Sequence, residues 1–162
     1  MISTAQCAAL IVPGRPIPLQ RAGRNGRRSY LPERSAHYRD RIQAQWMIEG
    51  RPRLVGPLLV SCLFYFATPR DFFHAGCGPG TSSGIAGTHV REKYRGALPG
   101  SPADTDNLVK AVLDALQDSG GMTNRIYLMF ADDRQVVTLF AARRWAYDGP
   151  ERTLIEARSQ AV

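Results

Sequence analysis

Residues 104–116 read D-T-D-N-L-V-K-A-V-L-D-A-L. Leu108, Ala111, Val112, Ala115 and Leu116 recur with the 3.6-residue period of a helix that buries one face. Asp106, Lys110 and Asp114 follow one another at i, i+4 and i+8, so they line a polar stripe away from that face. Asp104 or Thr105 suits the N-cap, and Ser119-Gly120-Gly121 suits the helix end. A short apolar run, Ile126–Ala131, then leads into A-D-D-R-Q-V-V, where Asp132 and Asp133 mark a corner before a strand over Gln135–Ala142. Residues 104–133 hold six acids and two bases, although the whole chain carries a net charge of +7. An acidic island in a basic chain points to a metal site within a polyanion-binding surface.

Outward from this stretch, Ala8–Val12 is a short apolar run stopped by Pro13-Gly14 and reads as a first strand. Pro32-Glu33 opens a helical pattern that continues to about Glu49, with Ala36, Ile42, Trp46 and Met47 near its apolar side. Trp46 reads as a core anchor rather than a base-stacking platform. Leu58–Ala67, rich in β-branched and aromatic residues, reads as a central strand. Arg152–Ala157 reads as a last, edge strand. The expected order is β-α-β-α-β-β-β: an α/β chain with a mixed sheet and two main helices, folded as one domain over residues 1–162.

The 162 residues are 44% hydrophobic, enough for one core. Leu58–Ala67 is far too short to span a bilayer, and the N-terminus lacks the features of a signal peptide, so a cytoplasmic protein without a membrane partner is expected. Cys7, Cys62 and Cys77 are odd in number and widely spaced, against a disulfide framework. His74, Cys77 and His89, with Cys62, show no recognised zinc spacing.

Nineteen of the 21 basic residues are Arg. They concentrate in a basic arm, residues 15–31, where Arg15, Arg21, Arg24, Arg27 and Arg28 lie among Gly and Pro with no acid. Such a segment suits phosphate contacts better than a core, and its Asn25-Gly26 step signals a tight turn. Residues 69–103 form a long Gly/Pro-rich loop. In its second half Arg91, Lys93 and Arg95 flank Tyr94, a further grip on nucleic acid.

Two carboxylates at a helix start and a third from a strand end repel one another. At about 4 Å each pair costs roughly 4 kcal/mol at an effective dielectric of 20, and the helix dipole offsets at most about 1 kcal/mol. A proton, an Arg or Lys, or a divalent cation must neutralise them. Oxygen ligands without His or Cys suit Mg²⁺ or Mn²⁺, which can polarise a phosphoryl oxygen and activate water. Lys110 would face the same place. Capping and corner turning are the plain alternatives for these acids. Phosphatases with a nucleophilic Asp and nucleotide-sugar transferases set their D-x-D at the end of an apolar strand, whereas G-A-L-P-G-S-P-A precedes it here.

D-T-D-N-L-V-K-A-V-L-D-A-L followed by D-D-R-Q-V-V resembles the signature of RusA-type Holliday-junction resolvases, which are often prophage-encoded, and G-R-P-I-P-L-Q-R-A-G-R is similar to their basic start. The resemblance implies a homodimeric, Mg²⁺-dependent endonuclease, with Mn²⁺ able to substitute, that cuts four-way DNA in paired strands during recombination and repair. It implies Asp104, Asp106 and Asp133 as metal ligands, Asp132 as their neighbour, and Lys110 as the basic residue needed for cutting. A non-cutting branched-DNA-binding module and a nuclease for flaps and forks are the alternatives. In the family the acidic pair follows the helix closely. Here G-G-M-T-N-R-I-Y-L-M-F intervenes, and an extra turn must absorb it to bring Asp133 back.

Overall fold

Leu58–Ala67 alternates along its length, so that Leu58, Val60, Cys62, Phe64 and Phe66 are buried on one side and the intervening residues are more open. It is β4 of a computed structural model that describes residues 6–20, 23–25, 28–75, 77, 90–100, 104–119 and 126–160, with the backbone alone at 23–25 and 28–30. The other strands are β1 (Cys7–Pro13), β2 (Gly23–Asn25), β3 (Arg28–Tyr30), β5 (Val136–Ala146) and β6 (Arg152–Ser159), and the helices are α1 (Glu33–Ile48) and α2 (Thr105–Leu116). The main sheet runs β1-β6-β4-β5, and β2 pairs with β3 in a separate ribbon. β4 is parallel to β5 and antiparallel to β6, which is antiparallel to β1. The mixed sheet with two helices is the expected α/β class.

Both helices lie on one face of this sheet. α1 buries Ser35, Tyr38, Ile42 and Trp46, and α2 buries Leu108, Val109, Ala111, Val112, Ala115 and Leu116, in one core with Leu10, Val12, Val60, Phe64 and Ile155. Trp46 is the anchor its sequence suggests. Met47 is instead exposed and Ala36 half-buried, because the α1 stripe falls one residue earlier, on Ser35 and Tyr38. The Gln43 side chain donates to the Ala115 carbonyl at 3.1 Å and ties the two helices together. Gly14, with φ of +89°, turns the chain after β1 so that Arg41 can donate to the Pro13 carbonyl at 2.8 Å. A Cβ at Gly14 would collide with that guanidinium.

Three expectations change. β6 is not an edge: β1 returns from the far end of the chain to pair outside it, leaving β1 and β5 at the edges. Ile126–Ala131 is not a strand. Only Ile126 and Phe130 make isolated bridges, to Ser119 and Gln117, while Leu128, Met129 and Phe130 fill the core. α2 ends at Leu116 rather than at the Ser119-Gly120-Gly121 stretch, because Gln117 is already extended and Ser119 is already paired. Gly120 and Gly121 lie outside the described residues. The three cysteines are free, and burial pushes the Cys62 thiol up to about 12. Among the described residues no helix is long and apolar enough to cross a membrane.

Inside the core the Tyr38 hydroxyl meets Thr153 Oγ1 at 2.6 Å, both side chains fully buried. Burial raises the Tyr38 pKa, so the phenol stays protonated. Tyr38→Phe should strand the Thr153 hydroxyl and cost about 1–3 kcal/mol. Adding Thr153→Val should recover most of it, since both polar partners are then gone. Denaturant midpoints of the two single variants and the double variant check this; additive losses would contradict the pairing.

Candidate active site

The polar side of α2 is fixed by its buried side. With Leu108, Val112 and Leu116 fully buried, Asp106, Lys110 and Asp114 face solvent in a row. Asp104 occupies the N-cap position with extended backbone, yet its side chain makes no capping hydrogen bond. Its carboxylate is exposed and not used in closing the helix. Two uncommitted carboxylates therefore open α2, and Lys110 stands one turn further on.

The second acidic pair is divided in its duties. Asp132 caps the short 3₁₀ turn Asp133–Gln135: its Oδ1 accepts from the Arg134 backbone N–H at 2.9 Å, and Gln135 Oε1 accepts from the Ala131 and Asp132 backbone N–H groups at 2.9 and 3.3 Å. The Arg134 backbone N–H, then the Asp133 side chain and the Arg134 charge, hold the Asp132 carboxyl below its usual range. Asp133 is left exposed at the entry to β5. Its negative charge reaches Asp114: loss of water around Asp114 raises that carboxyl's pKa, Lys110 partly opposes the rise, and Asp133 adds to it. Sequence reading placed Asp114 only on the polar stripe. Its i+4 spacing from Lys110 was the signal that could have drawn it into the site.

The long connection is absorbed by folding back on itself. Ser119 and Ile126 exchange backbone hydrogen bonds at 3.1 and 2.7 Å, and the Asp118 N–H donates to the Phe130 carbonyl at 2.8 Å. Asp133 thereby returns near enough to α2 for its charge to reach Asp114. Among the described residues no three His, Cys, Asp or Glu side chains are grouped closely enough to hold one metal ion. Asp106, Lys110 and Asp114 share one helix side, Asp104 stands at the N-cap, and the Asp133 charge acts on Asp114.

The basic arm is more integrated than its composition suggested. Pro16 is buried and Ile17 and Leu19 pack on the core. The Leu19 N–H donates to the Asn107 carbonyl at 2.9 Å, and Ser35 Oγ joins the arm at both Pro18 and Gln20. The arm is thus fastened to the first turn of α2, beside Asp104 and Asp106. Beyond it the β2–β3 ribbon closes through the Asn25–Arg28 pair, where the turn signal lay. Arg24 and Arg28 sit on this ribbon, and Arg21 and Arg27 lie outside the described residues. Arg15 is exposed but has Glu151 at 3.9 Å.

In the long loop Lys93 and Arg95 are exposed and Arg91 is half-buried. Tyr94 is not open on both faces: its ring stacks on Phe72 at 4.0 Å, its hydroxyl donates to Asp71 at 3.2 Å, and the Lys93 ammonium lies 4.7 Å from its centroid. Cys62, on β4, is buried in the core, whereas His74 is exposed and Cys77 half-buried, and His89 lies outside the described residues.

The raised Asp114 pKa carries a stability consequence. The folded state binds the Asp114 proton more tightly than the unfolded chain does, so stability falls as pH rises above the ordinary carboxylate range and stays lower at neutrality. Asp114→Asn should therefore raise Tm at pH 7, and the gain should shrink as pH falls through the carboxylate range. Thermal unfolding from pH 3 to 7 checks this; a variant less stable than wild type at pH 7 would contradict it.

No match is found among curated proteins. The family model for endodeoxyribonuclease RusA, however, matches residues 13–157, from the last residue of β1 into β6 and across both acidic segments. With the D-T-D-N helix, its lysine and the D-D corner all inside that span, the chain belongs to the endodeoxyribonuclease RusA family.

Proposed function

We propose that this chain is a divalent-metal-dependent endonuclease that resolves four-way DNA junctions by hydrolysing one phosphodiester in each of two opposed strands, in recombination and repair in the cytoplasm. The observation that carries this reading is the unspent acidity at the start of α2. Asp104 and Asp106 are exposed and make no cap, beside Lys110 and beside the point where the arginine-rich arm is fastened. Membership of an endodeoxyribonuclease family supplies the reaction class.

The donor set fits a hard cation: Asp104, Asp106 and Asp133 offer carboxylate oxygens with no His or Cys among them. Mg²⁺ or Mn²⁺, when bound, supplies polarisation of the phosphoryl oxygen and a water of lowered pKa. The chain supplies the rest. Asp104 and Asp106 would hold the cation from the helix and Asp133 from the β5 entry, with Asp132 capping the turn that carries Asp133. Lys110 offsets the charge on the scissile phosphate. The arm arginines at 15, 21, 24, 27 and 28, with Arg91, Lys93 and Arg95, bind backbone phosphates and carry no sequence information.

Two cuts need two such sites, and a two-fold homodimer supplies them at fixed spacing. β5 supports an edge-to-edge interface. It pairs only with β4 among the described residues, and Val137, Leu139 and Phe140 are exposed along it. The run at 126–130 does not serve, because its Leu128, Met129 and Phe130 are buried in the subunit's own core.

Asp106→Asn should abolish cutting of a four-way junction in Mg²⁺ and leave junction affinity intact, since the phosphate contacts remain. A panel of junction, flap, fork and linear duplex separates junction resolution from cutting of other branches. Wild-type cutting rates in Asp106→Asn would overturn the site, and preference for flaps or forks would overturn the substrate.

Sedimentation should show a dimer with and without junction DNA. Leu139→Lys with Phe140→Glu should yield a monomer that has lost paired cutting. A wild-type protein that stays monomeric in both conditions while making paired cuts would contradict the dimer.

A further inference from the structure

One acid of the 104–133 island is withdrawn from the surface altogether. The Asp118 side chain is 2% exposed, and its Oδ2 accepts from Arg53 Nη2 at 2.6 Å while its Oδ1 accepts from the Leu128 backbone N–H at 2.8 Å. The same neighbourhood is tied three more times. Leu54 N–H donates to the Met129 carbonyl at 2.7 Å, the Gln135 amide donates to the Gly56 carbonyl at 3.1 Å, and the Arg53 guanidinium lies 5.5 Å from the Tyr127 ring centroid. Residues 53–56 thus act as a rail along which 127–135 is laid, and Phe130, two residues before the acidic pair, is fixed to both Leu116 and Asp118.

We propose that the Arg53–Asp118 pair is the positioning device that sets where Asp132-Asp133 meet α2. The pair works through the backbone and touches no substrate. It is a charged tie, among the described residues, between the connection after α2 and the body of the fold, and loosening it lets the distance from Asp133 to the helix acids vary. A misplacement of about 1 Å at a reacting centre is enough to cost on the order of 100-fold in rate. The inference deepens the proposed nuclease function and rests on it for the rate measurement only.

The experiment compares full-length Asp118→Asn, Asp118→Ala, Arg53→Met and Arg53→Lys, well below their Tm. Amide hydrogen exchange is read at 127–135 and along β4 and β6, and single-turnover junction cutting in Mn²⁺ is read beside junction Kd. Asp118→Asn keeps an acceptor for Leu128 but loses the partner of Arg53, and Asp118→Ala loses both. Exchange at 127–135 should therefore quicken in the order wild type, Asn, Ala, with the β4 and β6 amides unmoved. Cutting should fall about 10-fold or more with Kd unchanged, and Arg53→Lys should retain more rate than Arg53→Met. Unchanged local exchange, exchange that quickens equally across the sheet, or quickened local exchange with wild-type cutting would each overturn the positioning role. If the wild type cuts no junction, the nuclease reading fails, and the exchange pattern alone decides whether the pair sets the corner.

Discussion

The apolar face of α2 can be buried in one orientation only, and the rest of the site follows from that. Leu108, Val112 and Leu116 are fully buried against α1 and the sheet. Exposing any one of them would forfeit roughly 1.5–3 kcal/mol. No electrostatic gain at the surface competes with the sum, so Asp106, Lys110 and Asp114 are held outward and in register. Asn107 presents its carbonyl to Leu19, and the arginine-rich arm is drawn to the same end of the helix. A hydrophobic constraint thus brings acidic and basic segments, distant in sequence, to one place.

The fold also sorts the acids. Asp118 is neutralised in the interior by Arg53, and Asp132 is occupied as a cap. Asp104, Asp106, Asp114 and Asp133 remain exposed, with Lys110 among them. Loss of water raises the Asp114 carboxyl, Lys110 opposes the rise, and Asp133, from a separate element, adds to it. Mutual repulsion among exposed carboxylates is what a divalent cation relieves. An arm that carries arginines but no acid suits the approach of phosphate.

Local pattern and tertiary context divided the reading of this chain. Leu58–Ala67 was legible to the residue, because a run that is apolar but for Ser61 lies between Gly56-Pro57 and Thr68-Pro69. The α2 face was legible because five apolar residues keep one period. The place of β6 was not, since what lies outside it is β1, some 150 residues earlier in the sequence (Cys7 pairs with Arg158), and no local signal records that pairing. Ile126–Ala131 has the composition of a strand, but Asp118 and Leu54 take its backbone groups singly, so its apolar side chains enter the core without a ladder. At the site, the spacing of Asp106, Lys110 and Asp114 showed which polar residues share a helix side. It could not show that Asp104 leaves its cap unmade, that Asp132 takes one, or that the Asp133 charge reaches Asp114.

The proposed function requires that the start of α2 and the D-D corner serve a single cation. Titration of the isotope-labelled protein with Mn²⁺ alone, followed by amide NMR, measures this directly through paramagnetic broadening. The predicted result is that amides at Asp104–Asn107 and at Asp133–Gln135 broaden together at the same substoichiometric Mn²⁺, and that Asp106→Asn abolishes both effects. Broadening at the helix start with the corner untouched, or at neither, would contradict it.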